Sequence, residues 1–471
     1  MLRRPELIAL LALGLAGCSL APTYKTPGVP VADQYANAQS PWTEARPADH
    51  LDRDAWWKLY GDPRLDDLQG KLLSNNATLA AALAHYRQSE AFTKQVRAGL
   101  FPTIGLNGNA QRDRESDTRP LRGATSPALY NSYTLGAQLD YEIDLWGRVA
   151  DTVAAGTAEQ AAASADLASA RLSLQAQLAD SYLQLNGLDR QVKVLSESID
   201  AFARALELTK SRHEGGISSG LDVARAQTQL SNARSQLTQA QAQRAVVQHA
   251  IAVLVGDSAS SFTLATNDVQ VAVPTIPLDV PSVILQRRPD IAAAERRTAA
   301  ANARVGVARS AYFPQLTLDA QGGWQSSQWG SIATAPNRFW SIGPTLLLNV
   351  FDGGRRKAGV EAARAATDEA GARYRDVVLN AFAQVEDNLT LLRDLGTALT
   401  DQRAAADAAQ RSVDLSMNRY RNGAVGYLDV VQAQTAALDA RRSVIDLETR
   451  QLRASVQLIR ALGGGWSTTA G

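Results

Sequence analysis

One cysteine in 471 residues excludes a disulfide framework within the chain and any cysteine-rich zinc site. Four histidines leave little from which to build a histidine metal centre. Charge of one sign is also lacking: 48 Lys and Arg stand against 47 Asp and Glu, a net charge of +1. That balance excludes a nucleic-acid partner, which calls for a basic surplus or patch. After the N-terminal leader no run of 18 consecutive apolar residues occurs, so the mature chain has no helical membrane span. Any membrane contact must then use lipid or β-strands. Aromatics are scarce at 6%, and proline is absent from 147–213 and 354–420. What is plentiful is Ala, Leu and Gln, a composition that favours long, closely packed helices.

The single cysteine is well placed. Arg3 and Arg4 precede an apolar run from Leu7 to Ala16, the layout of a secretory leader. The run ends at Leu15-Ala16-Gly17-Cys18, a lipobox-like stretch that predicts cleavage before Cys18 and a covalent lipid on its sulfur. Ser19 rather than Asp follows, the pattern of lipoproteins sorted to the outer membrane.

The rest of the chain is written twice. Arg212-His213-Glu214-Gly215-Gly216 and Leu221-Asp222-Val223 recur, shifted by 207 residues, as Arg419-Tyr420-Arg421-Asn422-Gly423 and Leu428-Asp429-Val430. Upstream, Arg97 to Pro102 recurs as Arg309 to Pro314 at a shift of 212. The five-residue difference falls in a loop between two alternating stretches. In the first copy Tyr133, Leu135, Ala137, Leu139 and Tyr141 alternate with Thr134, Gly136, Gln138 and Asp140, after a partner stretch carrying Ile104 and Leu106. In the second copy Leu316, Leu318 and Ala320, then Trp340, Ile342 and Leu346, alternate likewise. Period two predicts two hairpins, each with one apolar and one polar face. A soluble half-buried sheet would read the same way, but the lipoprotein start favours an outer-membrane barrel. Tyr130, Tyr133, Trp324, Trp329, Phe339 and Trp340 are expected to form its aromatic girdle. Four strands cannot close a barrel, so several copies must share one.

Each hairpin is followed by a proline-free helix, 147–213 or 354–420, about 100 Å long at 1.5 Å per residue. A 4-3 seam runs through Val378, Phe382, Val385, Leu389, Leu392, Leu399, Arg403, Val413 and Tyr420. The helices after the turns keep the rhythm at Ala226, Leu230, Ala233 and Ile251, and at Val430, Ala437, Ala454 and Leu458. A second stripe, Val431, Leu438, Ile445, Leu452 and Ile459, gives the last helix two neighbours, which a closed ring of helices needs and a simple two-stranded coil does not. The expected division is a leader (1–17), a lipidated extension (18–62) and a first unit (63–256). That unit holds a hairpin about 101–143, helix 147–213, tip 214–220 and helix 221–256. A linker (257–280) leads to a second unit (281–466) with hairpin about 313–350, helix 354–420, tip 421–427 and helix 428–462, and a tail (467–471).

Taken in order, several short motifs carry a family resemblance. They are Cys18-Ser19-Leu20-Ala21-Pro22 with Tyr24, Trp56-Trp57 through Asp62-Pro63 and Leu65, Asn75-Asn76 with Leu79, and Asp144 to Arg148. They continue with Arg287 to Ile291, Phe351 to Arg355, and Ala461 to Trp466. On this duplicated frame the chain resembles the TolC-like outer-membrane factor family, in its lipoprotein efflux-channel branch. The resemblance implies a mainly α protein with a membrane β part. It implies a homotrimer whose helices form an α-barrel continued by a shared twelve-stranded β-barrel, four strands per protomer. It further implies a passive conduit in the outer membrane that meets a periplasmic adaptor protein and an inner-membrane RND-type transporter and exports drugs or other small toxic compounds. It implies no cofactor beyond the lipid on Cys18.

The resemblance makes the two turns the adaptor-docking tips, with Gly216, Gly220, Leu221, Gly423 and Leu428. It assigns the periplasmic gate to Asp429, Tyr420, Gln432 and Asp222. A ring of Asp429 carboxylates would raise the negative potential of a narrow mouth. Gln432 stands where a second acid is common, and Val425 where a basic partner for Tyr420 occurs. Asp429 also reads as an exposed helix N-cap. Two other functions stay open: a channel for type I protein secretion, and a coiled-coil spacer lipoprotein without a pore. An enzyme is not expected. Gly216-Ile217-Ser218-Ser219-Gly220 matches G-x-S-x-G, but a helix rather than a strand precedes it, and the second copy has no serine there.

Overall fold

The structure, a computed structural model, describes residues 19–29, 55–116, 118, 127–274, 276 and 287–464. The leader, Cys18, most of the N-terminal extension, part of the linker, and Trp466 with the tail lie outside the described residues. In the first copy a 3-10 turn (Trp56–Tyr60) leads to α1 (Pro63–Asn75), α2 (Ala77–Ala98), β1 (Thr103–Arg114) and β2 (Leu129–Glu142). Next come α3 (Arg148–Glu214) and α4 (Gly220–Leu254). The second copy follows as α5 (Pro289–Ser310), β3 (Gln315–Ser326), β4 (Arg338–Leu347), α6 (Arg355–Arg421) and α7 (Tyr427–Ala461). The shift of 207 carries both ends of α3 onto those of α6, and both ends of α4 onto those of α7. The shift of 212 does the same for α2 onto α5 and for β1 onto β3. The architecture is therefore mainly helical with four strands per protomer. Among the described residues no helix is long and apolar enough to cross a membrane.

The chain divides into two compact units, and each draws on both copies. One contains residues 1–28, 86–163 and 293–375; the other contains 29–85, 164–292 and 376–471.

The first unit holds a four-stranded antiparallel sheet in the order β1-β2-β3-β4. Its register decides what faces where, because side chains alternate along a strand and directly paired residues share a face. Leu106 pairs with Ala137, Ala137 with Gly322, and Gly322 with Trp340; Ile104, Leu139, Ala320 and Ile342 form another such row. Most apolar residues of the four strands thus lie on one face, and several stand in the open, Leu106 88% and Trp340 79% exposed. An apolar face of this extent marks a surface built for lipid or a partner. The opposite face carries Asn107, Gln138, Asp140, Glu142, Thr317, Asp319, Gln321 and Ser341. Gly323 sits within it because a Cβ there would meet the Leu135 carbonyl oxygen at 2.2 Å.

The register corrects part of the expected girdle. Tyr133, Trp324 and Trp340 belong to the apolar face, and Trp329 packs edge-on against Tyr133 at 5.7 Å. Phe339, opposite Gly323, and Tyr130, opposite Asp113, fall in rows of the other parity and belong to the polar face. Proximity to the loop suggested all six; the pleat separates them.

In the second unit, Trp56, Trp57, Tyr60, Leu65, Leu68 and Leu72 pack against Leu178, Leu183 and Tyr182 of α3, Ile251 of α4, and Leu452, Val456 and Ile459 of α7. The short motifs near the N-terminus are therefore core and capping residues. Asn76 donates its amide to the Leu254 carbonyl at 2.8 Å and accepts from the Leu79 amide at 2.8 Å, so it closes the end of α4 and starts α2. Arg288, buried, donates to the Ala461 carbonyl at the end of α7 (3.0 Å) and pairs with Asp290 (2.6 Å). The helix seams face inward: Val378, Val385, Leu399 and Tyr420 of α6 and all five residues of the second stripe of α7 are buried or half-buried. Arg403 is the exposed exception, and it reaches Glu448.

Gly256 is the tightest backbone contact in this core. Its φ is +74°, and a Cβ there would lie 2.4 Å from the Asn75 carbonyl oxygen. Gly256→Ala is expected to cost about 1–3 kcal/mol in backbone strain alone, read as a lower denaturant midpoint. Gly70→Ala, at an open position on α1, should leave the midpoint where it is or raise it.

The helical tips as a candidate gating and docking site

Both helical turns lie in the second compact unit and are built alike. After α3, Gly216 takes φ +72°, and the Ile217 amide returns to the Arg212 carbonyl at 2.7 Å. After α6, Gly423 takes φ +75°, and the Ala424 amide returns to the Arg419 carbonyl at 2.8 Å. Glycine is needed at these two positions because the left-handed backbone closes the end of each long helix.

The helix starts that follow differ. Ser219 caps α4: its hydroxyl accepts from the Asp222 amide at 3.2 Å and donates to the Asp222 carboxylate at 2.9 Å. Asp222 also meets Arg225 at 3.5 Å. It is thus the acid of a capping box. In α7 the cap is Gly426, which offers no side chain. Asp429 occupies the position of Asp222 but makes no hydrogen bond or ion pair with the described residues, and it is exposed. This corrects the N-cap reading of Asp429. The cap lies three residues earlier, and a glycine there leaves the carboxylate free. Gln432, one turn on, is exposed as well.

Tyr420 is not at the surface. It is 3% exposed and packs against Tyr427, 1% exposed, with ring centroids 5.3 Å apart. Its hydroxyl lies 3.4 Å from Thr209 Oγ1 and 3.3 Å from Ser218 Oγ. A cation does attend it, from the other tip. The Arg212 guanidinium lies 4.7 Å above the Tyr420 ring and donates through Nη1 to the Tyr420 carbonyl at 2.8 Å and the Arg421 carbonyl at 3.3 Å. Sequence reasoning looked for this cation at Val425, which is half-buried, and missed Arg212. The available signal was that Arg212 is the copy of Arg419, one residue before Tyr420. Burial pushes the Tyr427 hydroxyl up to about 12, with Tyr420 and Asp222 adding to the effect, so it stays neutral at physiological pH.

Outside this buried knot, Gly216, Gly220 and Gly423 are exposed, as are Ile217, Leu221 and Leu428. Leu221 of α4 and Leu428 of α7, with Val431, Leu438 and Phe202, line a groove of about 410 Å³. Gln229 also lines it, with both amide atoms buried and unpartnered. The tips therefore present a partly apolar groove and, at Asp429, an exposed carboxylate. They hold no nucleophile–base pair of the hydrolase kind: His213 Nδ1 bonds the Ser218 carbonyl at 2.8 Å, not its hydroxyl.

The chain is similar to known proteins over nearly its full length. The profile of the family described as outer membrane efflux protein matches residues 68–257 and 280–464. The pyoverdine export outer membrane protein OpmQ of Pseudomonas aeruginosa is 32% identical, over 98% of this chain and 96% of its own. The toluene efflux pump outer membrane protein TtgC of Pseudomonas putida is 31% identical, over 98% and 96%. Among solved structures, the outer-membrane channel OprN superposes with a TM-score of 0.86 at 30% identity, covering 95% of this chain and 100% of that one.

Proposed function

The chain belongs to the outer membrane efflux protein family, and from that premise we propose that it acts as a homotrimeric exit duct for small toxic molecules. That it is an outer-membrane channel component of an efflux system follows from its relatives. The trimer, its partners and its gate are the finer reading. Three four-stranded sheets would close a twelve-stranded barrel with the apolar faces toward lipid, since open strand edges are not tolerated in a bilayer. The observation that carries the reading is that sheet: one exposed apolar face, one polar face and two free edges, β1 and β4. A periplasmic spacer has no use for such a face.

In this reading Cys18 carries the lipid anchor. Gly216, Gly220, Leu221, Gly423 and Leu428 form the surface for a periplasmic adaptor, and an inner-membrane RND-type transporter supplies cargo and energy. Three Asp429 carboxylates, with Gln432 beside them, line the mouth, while Asp222 and the buried Tyr420 hold the tips in shape. Relatives are named for cargoes as unlike as pyoverdine and toluene, which supports a duct that leaves the choice of cargo to the pump.

The polar sheet face carries Asp113, Asp140, Glu142 and Asp319 and no Lys or Arg. Planar-bilayer recording is therefore expected to show a cation-preferring channel, with Asp140→Asn/Asp319→Asn reducing the preference severalfold. A purified trimer that never conducts, with Asp429 present or replaced by alanine, would refute the channel reading.

A further inference from the structure

The stretch that follows Cys18 is held to α3 and α5 by a series of side-chain contacts within the first compact unit. Ser19 donates its hydroxyl to Asp151 Oδ1 at 2.6 Å and accepts the Ala21 amide at 3.2 Å. Arg309 donates to the Leu20 carbonyl at 3.1 Å, and Asn302 to the Pro22 carbonyl at 2.7 Å. Tyr24 donates to Glu295 at 2.7 Å. Arg309, Asn302 and Glu295 are spaced seven residues apart along α5 and so lie on one helix face. The chain therefore runs along that face, antiparallel to the helix.

At the upper end is a notch. Asp151, in the first turn of α3, is only 4% exposed. Its Oδ2 is buried without a hydrogen-bond partner of good geometry. Across from it, Gly306 of α5 has no room for a side chain: a Cβ would lie 2.0 Å from Asp151 Oδ2 and 2.6 Å from the Ala21 nitrogen. Alanine is the better helix former, so a glycine inside α5 must be explained by what it admits. It admits Asp151 and the N-terminal segment together. Burial raises the Asp151 carboxyl above its ordinary range, and the Ser19 hydroxyl with the Leu20 and Ala21 amides offsets part of the rise.

We propose that the Asp151–Gly306 notch is a docking site for the N-terminus of the lipidated chain, and that it selects a small hydroxyl residue at position 19. The inference deepens the lipid-anchor reading above. Docking Ser19 ties the start of the described chain to the first turn of α3. It also means that the fold itself reads residue 19, the position at which the sequence resembles the outer-membrane sorting pattern. An Asp at position 19 would set a second carboxylate against the buried carboxylate of Asp151, which already feels the charge of Asp144, and like charges so placed repel strongly. Asp151 is a positioning residue in this scheme.

The test uses the full-length lipidated protein, purified from total membranes so that missorted variants are recovered. Hydrogen–deuterium exchange followed by mass spectrometry reads the amides of residues 20–24. Gly306→Ala, Asp151→Ala and Ser19→Asp should each speed that exchange about tenfold or more while leaving the rest of α5 protected. Ser19→Asp combined with Asp151→Asn should bring the rate back to within about threefold of wild type, which a merely structural loss would not do. Exchange at the wild-type rate in Gly306→Ala, or in Ser19→Asp alone, would overturn the proposal. Conductance and lipid mass are recorded on the same preparations. Conducting, lipidated variants with unchanged exchange would remove the docking inference alone; loss of conductance or lipid in the wild type would instead count against the functional reading on which it rests.

Discussion

Glu448→Ala should destabilise each protomer by about 3 kcal/mol, and Arg403→Ala by about 1 kcal/mol or less. Glu448 of α7 is buried. It accepts from Arg190 of α3 at 2.5 Å, from Arg403 of α6 at 2.5 Å and from Gln270 of the linker at 3.0 Å. One carboxylate thus ties three helices and the linker in a single register. The two pairs differ in weight. The Arg190 side chain is 15% exposed and that of Arg403 is 53% exposed. Water screens the second pair, so its loss is cheap. Removing Glu448 strands Arg190 with its charge buried, and the cost of an uncompensated buried charge dominates. Chemical denaturation followed by tryptophan emission checks this, since Trp56 and Trp57 sit in the core of the same unit. Equal midpoints for Glu448→Ala and Arg403→Ala would show that the buried pair does not govern stability.

Arg212→Ala should shift the closed–open equilibrium of the tips about tenfold or more toward open. The last carbonyls of a helix have no partner within it, and at the end of α6 Arg212 supplies one from α3. Charge-assisted bonds contribute about 1.5–3 kcal/mol, and a cation over an aromatic face about 0.5–1 kcal/mol. A loss of about 2 kcal/mol corresponds to a factor of about 30 in an equilibrium, provided the contact exists only in the closed tips. Arg212→Lys should fall between, keeping the charge over the Tyr420 ring but losing the planar fork that reaches two carbonyls. Single-channel open times measure the shift. An Arg212→Ala channel with wild-type open times would show that the contact between the tips plays no part in closing the duct.

The readable parts of this protein were those with a period. Duplication located the tips at Gly216 and Gly423, and alternation located the strands that carry Leu135 and Leu316. The unreadable parts were contacts between segments far apart in the chain. Nothing local to Tyr420 points to Arg212, and nothing local to Ser19 points to Asp151 and Gly306, 132 and 287 residues away. Two of the six girdle residues, Tyr130 and Phe339, were misplaced for a related reason: Phe339 and Trp340 are neighbours in sequence, but the pleat turns them to opposite faces.

By itself the sequence determined the element types, their repeat and the family, because each rests on spacing along one chain. Only the tertiary structure decided which carboxylates are free and which are engaged. Asp222 and Asp429 hold equivalent positions in the two copies, yet one is bound by Ser219 and the other stands exposed beyond Gly426. A side chain's charge is written in the sequence, but its availability depends on the groups that folding brings within about 3 Å of it.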